Sequence, residues 1–202
     1  MKNYSTRTLK YLGLASAFLL IYGCRKNDAD PTIPPITNTQ EQITTAIFNG
    51  FSELNPADSS KHFSCTWEDT DGAGGSLPQI DTLKLDSGLR YTVMLLLLDK
   101  TKTPWDTISH EIEERKNTHQ FFYTPDNSIV DKLAVYITDF DDNNPPLPVG
   151  LQLTFDTRNQ AGYTPPALGN LRVVLSHYDG IPKSTAPSPD TDLDIVFPVQ
   201  LH

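Results

Sequence analysis

His110, Glu111, Glu114 and His119 fall close together in one acidic stretch. Imidazole nitrogen and carboxylate oxygen in one place suit zinc or copper. On a helix, His110 and Glu114 are four residues apart and share a face, and His119 can approach them from a following strand. His177 has the strand parity of Leu171, Val173 and Leu175, so it is expected to point inward near the end of its strand and to offer a further ligand. The spacing matches no strict zinc signature such as H-E-x-x-H. The competing reading is a solvated helix face with histidines satisfied by hydrogen bonds.

Two acidic loops suggest a different metal. One is Glu68-Asp69-Thr70-Asp71-Gly72-Ala73-Gly74-Gly75 and the other Asp139-Phe140-Asp141-Asp142-Asn143-Asn144. Alternating carboxylates and carbonyls on a tight turn are what calcium coordination needs, which makes Asp69, Asp71, Asp139 and Asp141 candidate ligands. Neither loop has the twelve-residue EF-hand pattern, and the same residues also supply ordinary turn geometry. Catalysis has less to stand on. There is no G-x-S-x-G elbow, phosphate-binding glycine loop or dinucleotide fingerprint, and a non-enzymatic protein is expected. Trp105, Tyr163 with Pro165-Pro166, and Tyr178 lie in or beside loops, where they either form a binding face or cap the core.

The elements that must position these residues are mostly strands. Period-two alternation marks Ile43/Thr45/Ile47, Phe63/Cys65/Trp67, Leu83/Leu85, Leu133/Val135/Ile137, Leu151/Leu153/Phe155, Leu171/Val173/Leu175 and Ile195/Phe197/Val199/Leu201. Tyr91–Leu98 is a more continuous apolar run and reads as a central strand buried on both faces. His119–Tyr123 adds another strand. Turn signals separate the runs, among them Asn55-Pro56, Ser87-Gly88, Asn144-Pro145 and Asp179-Gly180, and Ser87-Gly88 suggests a hairpin. About nine short strands so spaced predict a mostly β, antiparallel, immunoglobulin-like β-sandwich over residues 41–202. The exception is Asp106–Lys116. Ile108 and Ile112 are four apart, Asp106 suits an N-cap, and Arg115-Lys116 end the stretch, so one short helix is expected there.

The N-terminus sets the compartment. Lys2, Arg7 and Lys10 precede an uncharged run over residues 11–22, the layout of a secretory signal. Twelve residues cannot cross about 30 Å of hydrocarbon at about 1.5 Å per residue. The run closes on Ile21-Tyr22-Gly23-Cys24, which resembles the bacterial lipobox. The resemblance implies lipidation of the Cys24 thiol, cleavage before it and acylation of the new amine. More than one acyl chain gives stable anchoring. Residues 1–23 are then a lipoprotein signal peptide. Residues 24–40, polar and carrying three prolines, are the lipidated cysteine and a flexible tether.

Loss of Lys2, Arg7 and Lys10 moves the formal charge from −9 to −12. That balance argues against nucleic acid, which needs clustered Lys and Arg, and against electrostatic docking on anionic lipid. With Cys24 thioether-linked, Cys65 has no disulfide partner and reads as a small buried hydrophobe.

Three features together resemble a group of small bacterial surface lipoproteins: the lipobox ending at Cys24, the Trp67-x-Asp69-x-Asp71-Gly72-x-Gly74-Gly75 loop, and the acidic segment leading into His119–Tyr123. Members are sometimes labelled type 1 periplasmic binding fold proteins, a label the strand-rich pattern does not support. The resemblance implies an outer-membrane lipoprotein, at the cell surface or the periplasmic face, that accompanies a TonB-dependent receptor in nutrient or metal capture. Two alternatives stand beside it: a metal-binding surface protein holding zinc, copper or calcium, and a structural or adhesive domain without a small ligand.

Overall fold

The computed structural model describes residues 41–72, 75–158 and 166–202. Cys24, the stretch over 25–40 expected to be a tether, Gly74, Tyr163 and Pro165 lie outside them. Among the described residues, ten strands and one short α-helix form a two-sheet β-sandwich. The strands are β1 (Thr45–Ser52), β2 (His62–Glu68), β3 (Gln79–Ile80), β4 (Leu83–Leu85) and β5 (Arg90–Leu98), then β6 (His119–Pro125), β7 (Ala134–Ile137), β8 (Gln152–Asp156), β9 (Ala167–His177) and β10 (Thr191–Leu201). The first sheet runs β3-β2-β1-β5-β8-β7 and the second β4-β10-β9-β6. The expected sandwich is present, with one strand more than the nine foreseen.

Alternation explains most of the inner faces. In β2, Cys65 and Trp67 are buried; in β9, Leu171, Val173 and Leu175; in β10, Ile195, Phe197, Val199 and Leu201. Phe48 joins the two layers, its ring 5.4 Å from Phe155 in its own sheet and 4.9 Å from Phe197 in the other. Edge-to-face and tilted contacts at these distances add to the area the rings bury.

The sheets differ from the sequence reading in four places. In β1 the inward residues are Ala46 and Phe48, while Ile47 is half-buried. Both faces of this strand carry apolar residues, so alternation alone does not choose between them. Gly50 is part of the choice. It pairs with Phe63 across the ladder, and a Cβ on it would stand 2.6 Å from that ring. In β5 only Tyr91, Val93, Leu95 and Leu97 face the core throughout; Met94, on the outer face, is 61% exposed. The hairpin expected at Ser87-Gly88 does not form. β5 lies between β1 and β8 in one sheet, whereas β4 crosses to the other and pairs in parallel with β10, the one parallel pair in the described ladders.

The fourth difference concerns the helix. α1 covers Ile108–Glu114, with Ile108 and Ile112 buried as the spacing predicts. Its N-cap is Thr107, without a side-chain cap bond, rather than Asp106. Asp106 instead bridges to Asp99 through the backbone and holds Lys102 at 2.6 Å.

Candidate functional site

His119 opens β6 and His177 closes β9, and the two are directly paired. The Tyr178 N–H donates to the Thr118 carbonyl at 2.8 Å. His119 and His177 are therefore a non-hydrogen-bonded pair, the kind whose side chains stand closest. Their rings stack with centroids 4.4 Å apart. Both residues are buried, as the parity of His177 predicts.

The third member is Asp192, which the sequence reading missed. Alternation through β10 places Leu193 and Ile195 inward and would turn Asp192 outward. The β9–β10 ladder shifts register between Thr191 and Leu193, leaving Asp192 as the extra residue of a β-bulge. A bulge re-aims a side chain, and the Asp192 carboxylate is fully enclosed. Its Oδ2 stands 3.5 Å from His177 Nδ1 and 3.7 Å from His119 Nε2. Glu41, just ahead of β1, brings Oε1 to 3.9 Å from His119 Nε2, and the same oxygen is ion-paired to the Arg115 guanidinium.

The polar atoms of this cluster are poorly satisfied. His119 Nδ1 lies 3.0 Å from the Arg115 carbonyl. A carbonyl only accepts, so Nδ1 carries the proton and Nε2 presents a lone pair to the cluster. His119 Nε2, His177 Nδ1 and both Asp192 oxygens are buried without a hydrogen-bond partner, while Glu41 Oε1 is ion-paired to Arg115. Those first four are four of the nine buried side-chain atoms without a hydrogen-bond partner among the described residues. Buried polar groups are normally bonded, so four converging exceptions in one place call for an explanation. Burial pushes the His119 imidazole down to about 4, which keeps it neutral at pH 7. Burial also pushes the Asp192 carboxyl up, opposed by the nearby His177.

The helical candidates are elsewhere. His110 and Glu114 do approach each other, at 3.4 Å, but both side chains are mainly exposed. They do not join His119, whose Nε2 faces Asp192 and Glu41. The anticipated His110–Glu114–His119 set is replaced by His119, His177 and Asp192, the one group of three or more metal-ligating side chains within mutual reach among the described residues.

The acidic loops use their carboxylates as structural acceptors. Asp139 takes the Gly150 and Leu151 N–H groups at 2.9 Å each. Asp141 Oδ1 accepts from the Asn143 and Leu147 N–H groups, and its Oδ2 from the Asn143 amide and the Lys183 ammonium. Lys183 and Asp141 form an ion pair at 3.0 Å with both side chains buried, and Lys183 also donates to the Lys116 carbonyl. In the other loop, Asp69 accepts from the Gly72 N–H and Asp71 from the Ser76 N–H. These are turn contacts of the ordinary kind.

Cys65 is a free thiol, buried as expected, and burial pushes it up to about 12. Of the aromatic candidates, Trp105 is 62% exposed, with the Lys100 ammonium 5.0 Å above its ring. Tyr178 is buried and its hydroxyl donates to the Ala186 carbonyl, so it closes the core and does not form an open face.

The architecture and this cluster define a β-sandwich with a buried histidine–carboxylate site at the end of one sheet. No family model, curated protein or solved structure matches the chain.

Proposed function

We propose that the chain is a lipid-anchored, non-enzymatic lipoprotein of the outer membrane, serving as a binding or accessory subunit for nutrient uptake through a TonB-dependent receptor. The observation that carries this reading is the leader ending at Gly23-Cys24, followed by a polar stretch and then by a sandwich whose first strand starts at Thr45. Among the described residues no helix is long and apolar enough to cross a membrane. An acyl anchor at Cys24 supplies the attachment that such a body needs. The sandwich presents loops on a rigid frame, the usual setting for recognition, and Trp105 is exposed in one of them.

The test is metabolic labelling with a palmitate analogue in a Gram-negative host, combined with membrane fractionation. The full chain is expected to take up label and sediment with outer membranes, while Cys24→Ala is unlabelled and released. Unlabelled, soluble wild-type protein sinks the reading. The receptor role is tested by gentle solubilisation of native membranes: a TonB-dependent receptor should co-purify in near-stoichiometric amount with the wild type.

A further inference from the structure

We infer that His119 Nε2, His177 Nδ1 and the Asp192 carboxylate form a buried site for one divalent transition-metal ion, with zinc as the best fit and Glu41 on its fourth side. The first argument is the concentration of unpartnered atoms. A cation at the centre of these side chains satisfies His119 Nε2, His177 Nδ1 and Asp192 at once, whereas the His177 imidazole, 3.5 Å from Asp192 Oδ2, can serve the carboxylate alone.

The second argument is spacing. At zinc–ligand distances of about 2.0–2.1 Å, the edge of a coordination tetrahedron is about 3.3 Å. The observed separations of 3.5 Å and 3.7 Å from Asp192 to the two imidazoles are a few tenths longer. All three ligand atoms lie within 4.8 Å of one another. To aim both lone pairs at a common centre, the imidazoles must turn out of their stacked arrangement, in which the ring planes are 29° apart.

The third argument is the surrounding shell. The Arg115 carbonyl accepts the Nδ1–H of His119 and fixes both its tautomer and its ring plane. Such a partner is the usual companion of a ligating histidine. Two imidazoles and a carboxylate favour zinc or copper over calcium or magnesium, which take oxygen ligands. Enclosure by β6, β9 and the β10 bulge leaves no open position for substrate water, so the ion would be structural or stored, not catalytic. Glu41 gives the site reach. An ion held here engages the residue at which the chain enters the sandwich, and so couples metal occupancy to the base of the tether. The site does not depend on the anchor, and Cys24→Ala protein should bind zinc as the wild type does.

The experiment uses the full chain in mild detergent, stripped with EDTA and titrated calorimetrically with zinc chloride, with Co2+ as a spectroscopic probe. One zinc per chain, a raised melting temperature and the visible bands of tetrahedral Co2+ are expected. His177→Gln and Asp192→Asn should each lower zinc affinity by at least about 100-fold, while His110→Ala leaves it intact. Lack of stoichiometric zinc in the wild type overturns the site and leaves a polar cluster satisfied by water or a shared proton. Zinc binding that survives both His177→Gln and Asp192→Asn also overturns it. Circular dichroism on each variant separates lost binding from lost fold. The Co2+ spectrum of the wild type stands whatever the variants do.

Discussion

The sandwich buries two charged clusters, and they are built in opposite ways. Around Asp139, Asp141 and Lys183 each charged side chain is engaged: backbone N–H groups and a buried ammonium fill the carboxylates, and the ammonium reaches a carbonyl besides. Around His119, His177 and Asp192 the facing atoms are enclosed and lack partners. A satisfied network stabilises a loop, and removing any member exposes the cost of burying the rest. An unsatisfied one is a standing penalty in the empty protein, and a ligand removes it. The acidic loop that looks like a calcium site in the sequence thus behaves as structure, and the site with room for an ion is the one the sequence hid.

The largest expected effect tests the satisfied side. Lys183→Ala leaves the Asp141 carboxylate buried without its cation, and breaking a buried pair from one side costs about 3–5 kcal/mol. Thermal unfolding followed by circular dichroism should show a fall on the order of 10 °C at about 2–4 °C per kcal/mol. A fall of only a degree or two would mean that the pair is solvated and that the two clusters do not differ in kind.

Acid unfolding sharpens the same side. Burial raises the Asp141 carboxyl, but the Leu147 N–H, Lys183 and Asn143 outweigh it and hold the group below the ordinary carboxylate range. A depressed carboxyl contributes stability that is complete above the unfolded value, about 3.9, and is lost as pH falls through the folded value. The urea midpoint of the wild type should therefore drop below about pH 4. In Lys183→Ala that drop should be smaller, because without one of the groups holding the carboxyl down its folded value moves toward the unfolded one. Superimposable acid limbs would show that Lys183 does not set the Asp141 titration.

On the unsatisfied side the sign reverses. Asp192→Asn in metal-free protein removes a buried unpartnered charge and supplies an amide that can donate to an imidazole lone pair. A gain of about 1 kcal/mol is expected, read as a higher midpoint in urea, together with loss of the zinc-induced rise in melting temperature. Loss of more than about 2 kcal/mol in the metal-free state would make Asp192 a structural partner of the histidines, and the contrast between the clusters would collapse.

Much of this was legible from residue order. Alternation located β2, β8, β9 and β10 and turned His177 inward, because one apolar residue in two faces the core wherever a sheet has a single buried side. It did not choose the inner face of β1, where Ile43, Ile47 and Phe51 compete with Ala46 and Phe48. It could not see that β4 crosses to the second sheet, since its partner β10 is more than a hundred residues away. Asp192 was hidden for a local reason. The bulge that turns it inward leaves no compositional mark in Asp190-Thr191-Asp192-Leu193-Asp194, whose regular alternation predicts the opposite orientation. Glu41 was hidden by its place at the edge of a polar stretch. The misplaced His110, by contrast, had a readable signal. It lies two residues from both Ile108 and Ile112, and two helical steps carry a side chain about 200° around the axis. If the isoleucines face the core, His110 faces water.

That last point yields the smallest expected effect and a control on the whole comparison. His110→Ala and Glu114→Gln remove an exposed pair four residues apart on α1. Exposed pairs of this kind contribute little, and surface substitutions usually stay within about 0.5 kcal/mol. Each variant should melt within about 2 °C of the wild type, and zinc affinity by calorimetry should stay within about twofold, since neither side chain reaches the His119–Asp192 cluster. Glu41→Gln should fall between these controls and the ligand variants, with a loss of about 10–100-fold in zinc affinity. The ordering carries the argument: a metal held by His177 and Asp192 must respond first to those residues, next to Glu41 and last to α1. If His110→Ala instead weakens zinc as strongly as His177→Gln, the helix must turn its outer face toward the sheet in the loaded protein, and the division into a satisfied and an unsatisfied cluster would have to be redrawn around α1.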